Sequence, residues 1–150
     1  MRITILGCGT STGVPVIACP CDVCRSADPR NRRTRSSIVV AQNGANLLVD
    51  TAPDLRFQAM AAGLTHIEAV LYTHDHADHT HGINDLRHLN RLMGGDGIAI
   101  HGQAAHLDVL RAMFPYCFGA GADAYAKHHA VYAKLYGDLR ERFAEMATLV

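Results

Sequence analysis

The sequence predicts an α/β chain, layered in the α+β manner, with a helical C-terminal tail. Three observations carry this prediction. Short β-branched or aliphatic runs alternate with helical patterns through residue 113. A turn-forming Asn43-Gly44 pair separates two of those runs. From residue 123 onward the apolar residues recur at spacings of three and four.

Composition agrees with a folded domain. Of 150 residues, 49% are hydrophobic and 19% charged, which excludes a disordered or fibrous chain. Lys+Arg and Asp+Glu number 14 each, so the formal charge of zero gives no general attraction to nucleic acid. No apolar run approaches the roughly 18–20 residues of a membrane span. The first apolar run breaks at Gly7-Cys8-Gly9, too early for a secretory signal, so a cytoplasmic location is expected.

The elements follow in order. Ile3 and Ile5 alternate with polar positions over residues 2–6, a strand. A glycine-rich loop with Gly7, Gly9 and Gly13 runs to Pro15, and its spacing is not that of a dinucleotide-binding turn. Five arginines (25, 30, 32, 33 and 35) make residues 25–35 a positive loop, either a solvated face or an attractor of anionic substrate. Ser37–Ala41 and Asn46–Asp50 form a hairpin about the Asn-Gly pair, which supplies the positive φ angles of a type I′ turn. Pro53 starts a helix that Gly63 ends, with Leu55, Ala59 and Ala62 as its buried stripe. Ala69–Thr73 is a strand, a helix lies near Ile83–Met93, Ile98–His101 is a short strand, and Ala104–Met113 is a helix. In the tail, Val131, Leu135, Leu139, Phe143, Met146 and Val150 form an amphipathic stripe. Gly137 interrupts it, and Asp138 with Glu141 restarts it.

Two clusters carry chemistry. Cys19, Cys21 and Cys24 crowd into six residues, while Cys8 and Cys117 stand apart. An odd cysteine count argues against a disulfide framework. Three thiolates this close suit a structural zinc, with a redox pair as the rival reading, and a fourth ligand must come from elsewhere. The second cluster is Thr73-His74-Asp75-His76-Ala77-Asp78-His79, three histidines and two aspartates directly after a strand. Imidazole and carboxylate in the pattern His-x-His-x-Asp-His suit zinc, manganese or iron.

This pattern resembles the signature of the metallo-β-lactamase superfamily. Gly7–Pro15, the cysteine triplet, Arg35-Ser36-Ser37, Asp50–Arg56 and His81–Arg87 follow in the order found in the branch that contains phosphoribosyl cyclic phosphate phosphodiesterases. The resemblance spans roughly residues 2–118 and implies the N-terminal part of an αβ/βα sandwich. It also implies a metal-dependent hydrolase of cyclic or small phosphodiesters. His74 and His76 would hold one divalent ion (Zn or Mn), Asp78 and His79 the second. A water shared by the two ions would become the attacking hydroxide, with Asp78 counted as catalytic. Asp50 would orient a ligand from behind, and Asp75 would be structural. The cysteine triplet would join a distant histidine around one structural zinc.

Residues 119–150 do not resemble the family, so the division expected is 1–118 and 119–150. The second-half ligands that the family uses are not evident in the tail, where His128 and His129 are the late histidines. A fragment, a half-domain completed by homodimerisation, and a zinc protein without turnover remain open. A ribonuclease Z-like nuclease is the enzymatic rival, with nucleic acid disfavoured as a partner by the neutral charge.

Overall fold

The computed structural model describes residues 1–119. It divides the chain into two compact units, Met1–Leu110 and Arg111–Val150. The tail expected over residues 120–150, with its apolar stripe and His128 and His129, lies outside the described residues. Among the described residues, no helix is long and apolar enough to cross a membrane.

The first unit is built on a five-stranded sheet in the order β1 (Arg2–Gly7), β2 (Ser37–Gln42), β3 (Ala45–Val49), β4 (Ala69–Leu71) and β5 (Ala99–His101). The first three strands are antiparallel, and β4 and β5 join in parallel. The hairpin forms where the sequence places it, because Asn43 and Gly44 adopt φ of 52° and 85°. The parallel pairs need crossovers, and helices supply them: α2 (Leu55–Ala62) before β4, then α3 (Ala77–Thr80) and α4 (Leu86–Leu92) before β5. A short α1 (Asp22–Arg25) carries the cysteines, and α5 (Ala104–Met113) follows β5.

Register sorts the side chains into two faces. Thr4, Val39, Leu48, Val70 and Ile100 lie in one row across all five strands. Val39, Leu48 and Val70 are buried together with Leu55, Ile67, Ile83, Leu86, Leu89 and Leu110, and this is the core. The neighbouring rows, Ile5-Ile38-Val49-Leu71 and Ile3-Val40-Leu47-Ala69, point the other way. Ile3 and Ile5 are 57% and 67% exposed, and the rest of these two rows is half-buried or exposed. One face of the sheet is therefore apolar and incompletely covered.

Three local expectations change. The helix begins at Leu55 rather than Pro53, because the Asp54 carboxylate at its N-cap pairs with Arg35 instead of capping the helix. Its buried residues are Leu55 and Gln58. Ala59 is half-buried and Ala62 exposed, so the stripe read from Leu55, Ala59 and Ala62 is replaced by one containing a glutamine. Gln58 earns its buried place by donating to Thr34 Oγ1 at 3.0 Å and Arg35 O at 2.8 Å. The strand after it stops at Leu71, and the Tyr72 N–H donates to His101 O beyond its end. Gly63 does end the helix, at φ 62°, with the Leu64 N–H reaching back to Ala59 O.

Candidate metal centre at the strand ends

The C-terminal ends of β3 and β4 lie side by side, and the histidine motif leaves from β4. Asp50 follows β3 at φ 60°, and its N–H donates to Leu71 O. It is 4% exposed, and its carboxylate is fully engaged. Oδ1 accepts the Thr73 N–H at 2.8 Å, and Oδ2 accepts the Thr73 hydroxyl at 2.7 Å and His79 Nδ1 at 2.7 Å.

Counting protons fixes the roles of two imidazoles. The carboxylate of Asp50 accepts, so His79 donates from Nδ1, and as a neutral imidazole it turns a lone pair outward on Nε2. That Nε2 faces Asp78 Oδ2 at 3.2 Å. Two acceptors so placed repel unless a cation or a proton lies between them. The spacing also suits two ligands of one ion with bonds of about 2.0–2.2 Å. The Thr73 hydroxyl, having given its proton to Asp50, accepts from His74 Nδ1 at 2.9 Å. The lone pair of His74 is then on Nε2.

Local folding brings the rings together. Residues 77–80, read from the sequence only as a His-rich segment, wind into the single turn α3 with His76 at its N-cap. Thr80 Oγ1 donates to His76 O at 2.9 Å and clamps that turn. The rings of His74 and His79 lie 4.1 Å apart, and those of His74 and His76 4.6 Å apart. Behind them, Thr51 N–H donates to His79 O, the Thr51 hydroxyl to Thr80 O, and Tyr72 Oη lies 3.0 Å from Thr51 Oγ1. The Gly82 N–H closes on Thr51 O, where a β-carbon on Gly82 would overlap Ala52 O.

The motif's four expected ligands thus form a cluster around His74, His76, Asp78 and His79. They do not converge on a single point. Among the described residues, only Cys19, Cys21 and Cys24 have all three donor atoms within 4.8 Å of one another. That triplet is preorganised: the Val16 N–H lies 3.4 Å from Cys24 Sγ. The Cys24 N–H holds the Cys21 thiol below the usual thiol range, with help from the thiols of Cys19 and Cys24. At Cys24 the Val16 N–H favours the thiolate, but desolvation and the two neighbouring thiols outweigh it and push the thiol up. Three sulfurs with one readily ionised member fit a zinc ion.

Sequence reasoning missed Thr73, Thr51 and His106. Thr73 opens the motif and its hydroxyl is the hinge between Asp50 and His74. Its position before the first histidine was visible, but its contact with a residue 23 positions earlier was not. His106 Nδ1 on α5 lies 3.1 Å from Asp75 Oδ1.

The β-lactamase superfamily domain matches residues 45–134. The chain belongs to the metallo-β-lactamase superfamily. Its five-stranded mixed sheet with helices is the fold of that superfamily. It is 45% identical to a diphosphatase of the PhnP family, with a TM-score of 0.72 over 76% of this chain and 46% of that one. It is 30% identical to zinc-bound PqqB of Methylobacterium extorquens, with a TM-score of 0.54 over 69% of this chain and 46% of that one. An octanoyltransferase of Porphyromonas gingivalis is 42% identical over 119 residues, 79% of this chain and 24% of that protein. Human tRNase Z, short form, shares the fold at 23% identity and a TM-score of 0.56, over 77% of this chain and 40% of that one. The chain therefore spans less than half the length of these relatives.

Proposed function

We propose that this metallo-β-lactamase chain serves a metal-dependent phosphodiesterase acting on a small or cyclic phosphodiester. The observation that carries the reading is the line Asp50–His79–Asp78. A buried carboxylate fixes one imidazole tautomer, and the freed Nε2 meets a second carboxylate at 3.2 Å. Such a carboxylate behind a histidine is the usual way of aiming a metal ligand. The similarity to a diphosphatase points the same way.

In this reading His74 and His76 would hold one divalent ion, Asp78 and His79 the other, and the three cysteines a structural zinc. Bound there, the ions would supply Lewis acidity toward the phosphoryl oxygens and a water acidic enough to ionise near neutral pH. The chain's own residues do the positioning. Asp50 holds the Nδ1 proton of His79 and orients Thr73, and Thr73 in turn orients His74. Thr80 and Thr51 lock the turn that carries His76, Asp78 and His79. His106 holds Asp75 at the head of the loop.

A second copy of this chain is the partner we assign. Its warrant is the sheet face of Ile3, Ile5, Ile38, Val40, Leu47, Val49 and Leu71, which carries no charge and so is complementary to itself. A location in the cytoplasm completes the reading. Hydrolysis of bis(p-nitrophenyl) phosphate by the purified chain tests it. Turnover that falls at least about a hundredfold in His76→Ala supports the assignment. Turnover indifferent to His76→Ala, or cleavage confined to RNA, opposes it.

A further inference from the structure

Cys21-Asp22-Val23-Cys24 has the spacing of a redox pair as well as of zinc ligands. It forms around α1, a single turn with Cys21 at its N-cap and Cys24 inside it. Cys21 O accepts the Arg25 N–H at 3.0 Å, which closes the turn. No residue of α1 is buried. Val23 is 44% exposed, and Ile17 in the loop before it is 94% exposed. Cys21 itself is exposed, whereas Cys19 and Cys24 are half-buried. A small solute arriving from water therefore meets the Cys21 sulfur first.

The second sulfur is held in place by the fold. Cys24 Sγ lies 3.4 Å from the Val16 N–H. The loop that bears Val16 is fastened where Val14 and Arg33 exchange both backbone hydrogen bonds, at 2.8 and 2.9 Å. The far end of α1 is fastened too, because Ser26 O accepts from the Arg32 guanidinium at 3.2 Å. The three sulfurs lie within 4.8 Å of one another, yet one pair suits a covalent bridge better than the others. Cys21 and Cys24 are one helical turn apart, about 5 Å between Cα atoms, inside the disulfide window of roughly 4.4–6.8 Å. Cys19 and Cys21 flank Pro20, which confines Cys19 to extended backbone. Two residues of extended chain span roughly 6.6–7.2 Å, at or beyond the edge of that window. Cys19 and Cys24 are both shielded, so neither is the first to meet an oxidant.

We propose that the triplet is a peroxide-responsive modification site, at which hydrogen peroxide oxidises Cys21 and Cys24 closes the bridge. The Cys21 thiolate attacks one peroxide oxygen, the O–O bond breaks and hydroxide leaves, giving a sulfenic acid at Cys21. The Cys24 thiolate then attacks that sulfur. The S–S bond forms, the S–O bond breaks, and a second hydroxide leaves. Each sulfur gives up one electron, and the peroxide takes both. The hydroxides combine with the protons that the thiols release on ionising, so the products are one disulfide and two waters. Oxidation removes two of three sulfur donors, and Cys19 alone does not hold a zinc ion. Zinc release rests on the structural-zinc reading above, whereas formation of the bridge does not. The motif from His74 to His79 contains no thiol, so the change is confined to one of the two candidate metal sites.

The test is treatment of the full, zinc-loaded chain with hydrogen peroxide. Mass spectrometry after alkylation maps the bridge, and a chromophoric chelator reads the zinc released. The expected result is a Cys21–Cys24 disulfide with loss of about one zinc per chain, both reversed by dithiothreitol. Cys8→Ser leaves this result unchanged. In Cys24→Ser the sulfur that closes the bridge is gone, and Cys21 stops as a sulfenic acid that dimedone traps. The proposal is overturned if Cys21 and Cys24 still react with iodoacetamide after Cys8 has been oxidised. A bridge that takes Cys8, Cys19 or Cys117 in place of this pair overturns it as well. So does oxidation of Cys21 to a sulfinic acid that dithiothreitol does not reverse. If the bridge forms in a chain that bound no zinc at the triplet, the modification site stands and the structural-zinc reading falls.

Discussion

His79 Nδ1 lies 2.7 Å from Asp50 Oδ2, and that one hydrogen bond joins the end of β3 to the turn that follows β4. It decides which nitrogen of His79 is free. The Asp50 carboxylate is buried and accepts three hydrogen bonds, so it cannot be exchanged for its amide without loss. Asp50→Asn replaces one acceptor oxygen with a donor that faces Thr73 or His79. Zinc affinity at the histidine motif is expected to fall by about 10–100-fold while the far-ultraviolet circular dichroism is kept. Competition against a chromophoric chelator measures this. Unchanged affinity contradicts the orienting role of Asp50.

The second prediction concerns Thr73. Thr73→Val keeps the shape and removes the hydroxyl that links Asp50 to His74. The buried Asp50 oxygen loses one of its donors, at a cost of about 1–3 kcal/mol in stability. Metal affinity falls with it, because nothing then selects the His74 tautomer. Urea unfolding and the same chelator competition read the two effects. Thr73→Ser, which restores the hydroxyl, is expected to recover most of the affinity.

The two faces of the sheet predict opposite sensitivities. Leu48 is fully buried in the row with Val39 and Val70, so Leu48→Ala is expected to cost about 2–5 kcal/mol. Ile5 stands on the other face at 67% exposure. In a monomer, Ile5→Lys would change stability by no more than about 0.5 kcal/mol. In the homodimer proposed above it disrupts the interface. Sedimentation equilibrium is expected to show a dimer for the wild type and a shift toward monomer for Ile5→Lys. A wild-type chain monomeric at every concentration contradicts the self-association reading.

Much of this arrangement was legible in the sequence. Asn43-Gly44 announced the hairpin, Gly63 the helix end, and the motif from His74 to His79 its own clustering after a strand. What stayed hidden depends on contacts distant in sequence. Gln58 looks like a surface residue of α2 until Thr34 and Arg35 arrive to accept its amide protons. Nothing local in the sequence shows that Asp54 pairs with Arg35, 19 positions earlier. The alternation of Ile3 and Ile5 with polar positions marks a strand but not which way its apolar face points. Only the register against Val40 and Ile38 shows that they lie on the side away from the helices. The cysteine triplet was readable because its three members are local. The pairing of His106 with Asp75 was not, because 31 positions separate them.

Metal stoichiometry separates the two candidate sites. Cys21→Ser is expected to lower bound zinc by about one ion per chain and to leave His79-dependent metal in place. Cys21, the thiol most readily ionised, is the sensitive member of the triplet. A combined loss at both sites in this variant, with the fold intact, contradicts their independence.

The most direct test of the central claim is elemental analysis of the purified, folded chain in wild-type, Cys21→Ser and His79→Ala forms. If Asp50, His79 and Asp78 form one half of a metal centre, His79→Ala loses a divalent ion that Cys21→Ser retains. If His79→Ala carries the same metal content as the wild type, no ion is held at the histidine motif and the account of this site is wrong.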